Sequence, residues 1–220
     1  MALTNLASDQ VYSETTFKKL EFTNEVISGS EFSECKFVAC DFSETAFQSC
    51  SFMDCDFENC TMKLTKLENS TFARAKFRNC NLLGVNWTEA NWSAWASKMS
   101  SIEFEKCDLK YAVFFGLELS HMKMKHCHAH EANFSEADLT DADFEGSDFA
   151  GAIFHRTNLT GANFVGSRNY SLNINDNKTK GTKFSLPEAI RLLYYMDIVI
   201  VDPETNEEIE EDRLNDFTSN

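Results

Sequence analysis

A large apolar residue returns at every fifth position of this chain. From Phe17 to Trp92 the series reads Phe17, Phe22, Ile27, Phe32, Phe37, Phe42, Phe47, Phe52, Phe57, Met62, Leu67, Phe72, Phe77, Leu82, Trp87 and Trp92. It resumes at Phe104 and runs through Leu109, Phe114, Leu119, Met124, Ala129, Phe134, Leu139, Phe144, Phe149, Phe154 and Leu159 to Phe164. Seventeen of the 20 Phe lie on these two combs. A second comb, two residues earlier, is mostly small: Cys35, Cys40, Thr45, Cys50 and Cys55 in the first half, Ala132, Ala137, Ala142 and Ser147 in the second. It holds all eight cysteines.

Neither a straight strand nor a helix accommodates this period. In an extended backbone the large residue and the small one two before it share a face, and the residue between them points out. Five is odd, so a straight strand would throw the next Phe to the opposite face. Five residues of α-helix rotate by about 500°, so successive Phe would drift around the axis. The remaining solution is a coil that turns a corner once per repeat. Large residues then fill its interior, small ones leave them room, and stacked coils pair backbone to backbone at about 4.8 Å. Each repeat buries its face only against its neighbours, as in a β-solenoid.

Cysteines recurring 20 residues apart (Cys35 and Cys55; Cys40, Cys60 and Cys80; Cys107 and Cys127) suggest four corners per coil. Stretches such as Ala132-Asn133-Phe134-Ser135-Glu136, Ala137-Asp138-Leu139-Thr140-Asp141, Ala142-Asp143-Phe144-Glu145-Gly146 and Ala162-Asn163-Phe164 resemble the A-[DN]-[LF]-x-x signature of pentapeptide repeat proteins. The resemblance covers residues 17–174, more loosely between Ile27 and Val85, where Cys, Ser or Thr stand for Ala. It implies an all-β fold, a right-handed quadrilateral β-helix.

The chain divides accordingly. Residues 1–16 are expected to be a lead-in, 17–174 the rod, 175–201 a cap and 202–220 an acidic, disordered tail with eight acids and one Arg. Residues 93–103 break the comb and are expected to loop out, with Trp95, Lys98 and Met99 as a possible partner contact. Ser185-Leu186-Pro187-Glu188 reads as an α-helix start, with Ser as N-cap and Glu three residues later. The helix should run to about Met196, with a short strand over Ile198 to Val201. Its apolar residues wrap more than one face. Leu186, Ile190, Leu192, Leu193, Tyr194, Met196 and Ile198 are therefore expected both to seal the rod's open end and to form a homodimer interface.

Chemistry is expected to be absent. All eight thiols should point inward beside Phe as small fillers. Around the centre Ala129, Cys127 should face in while His126, His128 and His130 face out or lie at corners, so Cys and His cannot close one zinc site. Only a weak all-His surface site is left open; no resident metal or cofactor is expected. No phosphate-binding loop or nucleophile elbow appears. A convex rod offers no cleft, so the chain is not expected to be an enzyme.

The net charge of −15 argues against direct nucleic-acid binding and against an anionic membrane surface. No apolar run is long enough to span a bilayer, and the start lacks the pattern of a secretory signal, so a cytoplasmic location is expected. Residues 17–174 carry 22 acids and 15 bases. Between Glu131 and Asp148, however, Glu131, Glu136, Asp138, Asp141, Asp143, Glu145 and Asp148 occur with no Lys or Arg. This run is either a solvated face or an acidic docking strip for a basic partner. About eight coils make a rod near 38 Å long. Two rods joined through their C-terminal helices would span about 75 Å, or about 22 base pairs of duplex.

Leu82-Leu83-Gly84-Val85-Asn86-Trp87 and Phe184-Ser185-Leu186-Pro187-Glu188-Ala189 resemble the topoisomerase-protecting branch of the family, which includes the Qnr proteins and the immunity proteins for albicidin and microcin B. The resemblance implies a dimeric, DNA-mimicking protein that interacts with bacterial DNA gyrase, and often topoisomerase IV, and counters gyrase poisons. The acidic extension after Val201 departs from that pattern. The alternative is a rod-shaped interaction scaffold with no topoisomerase role.

Overall fold

The structure, a computed structural model, describes residues 6–92, 102–196, 198–202 and 204–209. The chain winds as a four-sided coil of parallel ladders, about eight turns long. One turn takes 20 residues: Thr16 pairs with Lys36, Lys36 with Asp56, and Asp56 with Lys76. The longest ladder stacks Thr16–Lys18, Lys36–Val38, Asp56–Glu58, Lys76–Arg78, Glu103–Glu105 and Lys123–Lys125. We call this side one, centred on Phe17, Phe37, Phe57, Phe77, Phe104 and their successors. Sides two, three and four are centred on the columns that begin at Phe22, Ile27 and Phe32.

Each corner has one cause. The residue two after a centre adopts the left-handed conformation, as at Lys19, Asn24, Gly29 and Glu34, with φ between 52° and 63°. That single residue redirects the chain, so an odd repeat returns every centre to the inside. All eight glycines occupy such left-handed positions. At Gly116 an added Cβ would meet nothing within 4 Å, so φ of +66° rather than lack of space is what favours glycine there.

The interior follows the two combs. Phe37, Phe57 and Phe77 are fully buried and stack coil on coil, with centroids 4.7 Å apart at both steps. Rings on adjoining sides of one coil meet edge to face, as Phe47 and Phe52 do at 5.1 Å and 80°. Both geometries suit the aromatic quadrupole. The comb of small residues is buried too, and its polar members are satisfied. Most of their hydroxyls and thiols donate to the carbonyl 23 residues earlier, as Thr65 does to Phe42 at 2.8 Å, Ser70 to Phe47 at 3.0 Å and Cys60 to Phe37 at 3.4 Å. Ser, Thr and Cys can therefore replace Ala without leaving a buried donor unpaired. All eight cysteines are free and buried. The neighbouring Cys107 thiol and burial push Cys80 up to about 12, which keeps it protonated and inert.

The boundaries differ from the sequence reading. Val11–Ser13 already pairs with Glu31–Ser33, and Leu6 is buried, so the rod includes much of the expected lead-in. At the other end Lys183–Phe184 pairs with Asn163–Phe164, which extends the rod past residue 174. At the break Phe77 pairs with Phe104, so that turn carries seven residues more than 20. Most of those residues, including Trp95, Lys98 and Met99, lie outside the described ones.

The expected α-helix is a 3-10 helix over Glu188–Met196. Ser185 does not cap it. Its hydroxyl accepts the Gly166 N–H at 2.9 Å, because Ser185 still continues side one of the rod. The helix lies across the end of the coil: Glu188 accepts from Asn169 N at 2.6 Å, Tyr195 hydroxyl meets Ser171 hydroxyl, and Leu192 packs on the core. The tail does not become irregular at Asp202. Val201 and Glu208 form an antiparallel bridge, Ile209 N donates to Ile200 O at 2.8 Å, and Ile209 is buried. An apolar Ile among the acids anchors this turn, which the charge count alone obscures. No described helix is long and apolar enough to cross a membrane.

Candidate partner-binding surface

Side chains just before and just after each centre point outward and stack in columns one coil apart. Side one is a ladder of alternating sign. Lys36 Nζ lies 2.8 Å from Glu58 Oε1, Arg78 Nη1 lies 3.0 Å from Asp56 Oδ1, and Lys123 Nζ lies 2.9 Å from Glu103 Oε1. Each pair joins consecutive coils.

The seven acids between Glu131 and Asp148 do not form a strip. Eighteen residues are nearly one turn, so they make a belt around the rod. Glu131 stands at the corner between sides two and three, Glu136 between three and four. Asp138 is on side four, Asp141 at the next corner, Asp143 and Glu145 on side one, and Asp148 on side two. Nor is the belt free of cations, because the coils above and below supply them. Lys125 Nζ lies 2.6 Å from Asp143 Oδ2 and 3.0 Å from Glu145 Oε2. Arg168 Nε lies 2.9 Å from Asp148 Oδ2. Partial burial works against the Asp143 charge, yet hydrogen bonds from Lys125 and Asn163 outweigh it and hold the carboxyl below the usual range. Burial likewise opposes the Asp148 charge, but Asn169, Arg168 and His130 together hold it at about 2.

Among the described residues, no Lys or Arg forms an ion pair with Glu131, Glu136, Asp138 or Asp141, although Asp138 is half-buried and its Oδ1 accepts from Thr140 N at 2.9 Å, Thr140 Oγ1 at 2.6 Å and Asn158 Nδ2 at 3.2 Å. Asp138 is joined on side four by Glu118, one coil below it in register and exposed, which the residue run does not include. Its signal was the 20-residue spacing. Asp141 Oδ2 lies 4.0 Å from His121 Nδ1.

Of the candidate dimer residues, Leu186, Leu193, Met196 and Ile198 are exposed, Ile190 and Tyr194 half-buried, and Leu192 turned onto the rod. Val199 and Val201 extend the exposed set. The three histidines separate as expected from Cys127: the thiol is buried, His126 and His128 are exposed and His130 is half-buried.

A four-sided solenoid of five-residue repeats, its interior filled by stacked aromatics, defines a class of structural repeat rods. The family model "Pentapeptide repeat region" matches residues 30–96 and 95–164. The chain belongs to the pentapeptide repeat proteins, and no catalytic family is indicated. Among solved structures it resembles a trypsin-treated variant of QnrB1, described as a plasmid-mediated fluoroquinolone resistance protein. The match has a TM-score of 0.57 and 21% identity, over 92% of this chain and 100% of that one. Full-length QnrB1 matches with a TM-score of 0.54 and 19% identity, over 83% of this chain and 100% of that one. No curated protein matches the sequence significantly.

Proposed function

We propose that this chain is a non-catalytic, DNA-mimicking rod that docks on a bacterial type II topoisomerase, DNA gyrase and also topoisomerase IV, and protects it from poisons such as albicidin-like toxins or quinolones. The observation that carries this reading is the acidic belt on a rod of even cross-section. A saddle-shaped groove that grips duplex DNA touches a cylinder on several flanks at once, and the belt presents carboxylates without a Lys or Arg partner on more than one of them. Its members without a Lys or Arg partner among the described residues, Glu131, Glu136, Asp138 and Asp141, carry the contact, with Glu118 beside them. Asp143, Glu145 and Asp148 contribute less because Lys125 and Arg168 offset them. Duplex DNA carries about 22 charges over 38 Å, far more than this rod, so the mimicry is local and relies on shape.

A homodimer through Leu186, Leu193, Met196 and Ile198 completes the reading: those side chains are apolar and exposed beside the end of the rod, and joining two rods there doubles the length. A cytoplasmic location is part of it, since the target is there. The likeness in fold to QnrB1 runs the length of the rod and supports the same direction. Supercoiling by purified gyrase, with and without albicidin or a quinolone, is the test. Restored supercoiling at micromolar protein supports the proposal. Neither inhibition nor rescue leaves the scaffold reading in its place.

A further inference from the structure

We infer that His128, His130 and Asp148 form a surface site for one borderline divalent cation, of the zinc class, bridging two consecutive coils of side two. His128 and His130 flank the centre Ala129, so both imidazoles leave the same outer face. Asp148 stands one coil on, in register with His128. One ligand atom from each of the three lies within 4.8 Å of the others. Two imidazole nitrogens and one carboxylate oxygen suit zinc, with water in the fourth position.

The distances fit. Metal–ligand bonds of about 2.0–2.1 Å in a tetrahedron put neighbouring donors about 3.3 Å apart. His130 Nε2 already lies 3.2 Å from Asp148 Oδ2. That nitrogen is shut off from solvent, and the Asp148 carboxylate is its polar neighbour. A cation between the two would use both. His128 is exposed and free to swing the remaining distance. Register puts Ala150 over His130, and its small side chain leaves space.

The supports are in place as well. Asp148 Oδ1 accepts from Asn169 Nδ2 at 2.8 Å and from Ala150 N at 3.2 Å, which fixes the carboxylate plane. Oδ2 then faces His130. Arg168 shares Oδ2 at 2.9 Å, but its side chain is 63% exposed and can withdraw or keep the second lone pair. Such outer partners orient ligands at metal sites generally. His126, in the same short run, stands at the corner above Lys106 and takes no part.

The test is calorimetric titration of chelator-treated, tag-free protein with Zn²⁺, followed by Co²⁺ absorption. The expected result is one ion per chain. His128→Ala, His130→Ala and Asp148→Asn should each weaken binding by more than the roughly 10–100-fold typical of losing a supporting partner, while His126→Ala binds normally. Zn²⁺ should also raise the melting temperature of the wild type and not that of His128→Ala. His128 is exposed, so its loss leaves the core intact and circular dichroism should be unchanged. Binding unaltered in the three variants, a sulfur-to-cobalt charge-transfer band, or no binding below millimolar Zn²⁺ would each overturn the inference.

Discussion

Phe77 stacks on Phe104, 27 residues further along the chain, with ring centroids 5.3 Å apart and the planes 18° from parallel. Every earlier stack on that side joins residues 20 apart. Trp87 closes the same layer, edge-on to both rings at 5.6 and 5.2 Å. The aromatic column is thus continuous across the break. Deleting Ala94 to Ser100 should leave circular dichroism and thermal unfolding close to wild type. If the segment with Trp95, Lys98 and Met99 touches a partner, the deletion should still abolish the gyrase effect. A deletion that unfolds the rod would show that the break is structural.

The column itself should be costly to interrupt. Phe57 sits between Phe37 and Phe77 at 4.7 Å from each and is fully buried. Phe57→Ala should cost about 3–5 kcal/mol, transfer and cavity together. Phe57→Leu should cost under about 1.5 kcal/mol, because most of the volume is kept. Urea unfolding would give both values. Equal costs would mean that the coil collapses around the void.

Corner conformation gives a stabilising change. Ala39 is exposed and held at φ of +52°. Ala39→Asn should stabilise by about 1 kcal/mol, since Asn enters the left-handed region more readily. Ala39→Val should destabilise by a similar amount or more. Melting temperatures moving the same way in both would refute this account of the corners.

Acid should weaken the ladder of side one. The Asp143 carboxyl is held below the usual range in the folded protein. A depressed carboxyl contributes stability above its unfolded value, near pH 4, and loses it as pH falls further. Lys125→Met should therefore make stability less sensitive to pH between 5 and 3, by on the order of 0.5 kcal/mol for a pair this exposed. Parallel stability profiles for wild type and variant would exclude the coupling.

Two surface predictions follow from the proposed docking. Asp138→Lys with Asp141→Lys should abolish any gyrase effect without altering circular dichroism, whereas Glu145→Gln should do little, since Lys125 already offsets that charge. An unchanged effect in the double variant would move the contact elsewhere. Separately, Leu193→Asp with Met196→Asp should yield monomers in sedimentation; a persisting dimer would remove the helix from the interface.

How much was legible in the sequence varies with the distance over which each feature is encoded. Centres and fillers repeat locally, so the combs state the interior directly. That a corner recurs once per repeat was legible, but the residue that makes it was not. Gly146, Gly151, Gly161 and Gly166 lie two after a centre, but in the first half Glu34, Ala39 and Leu64 occupy the same position and hide it. The belt was misread as a strip because sequence neighbours stand on different sides, while Lys125 and Arg168, 20 residues from Glu145 and Asp148, stand next to them. His130 and Asp148 meet for the same reason. Ser185 carries every local mark of an N-cap, yet its hydroxyl is taken by Gly166, a contact that no short window contains.

The paired charges of side one have a consequence for how the molecule can be held. A wall of neutralised side chains gives a cationic groove little to attract it, while the flanks around sides three and four, with Glu118, Glu131, Glu136 and Asp138, pull inward. A rod that looks fourfold in outline is thus lopsided in its field. It should settle into a binding channel at one preferred roll about its long axis, like a key with teeth cut along a single edge.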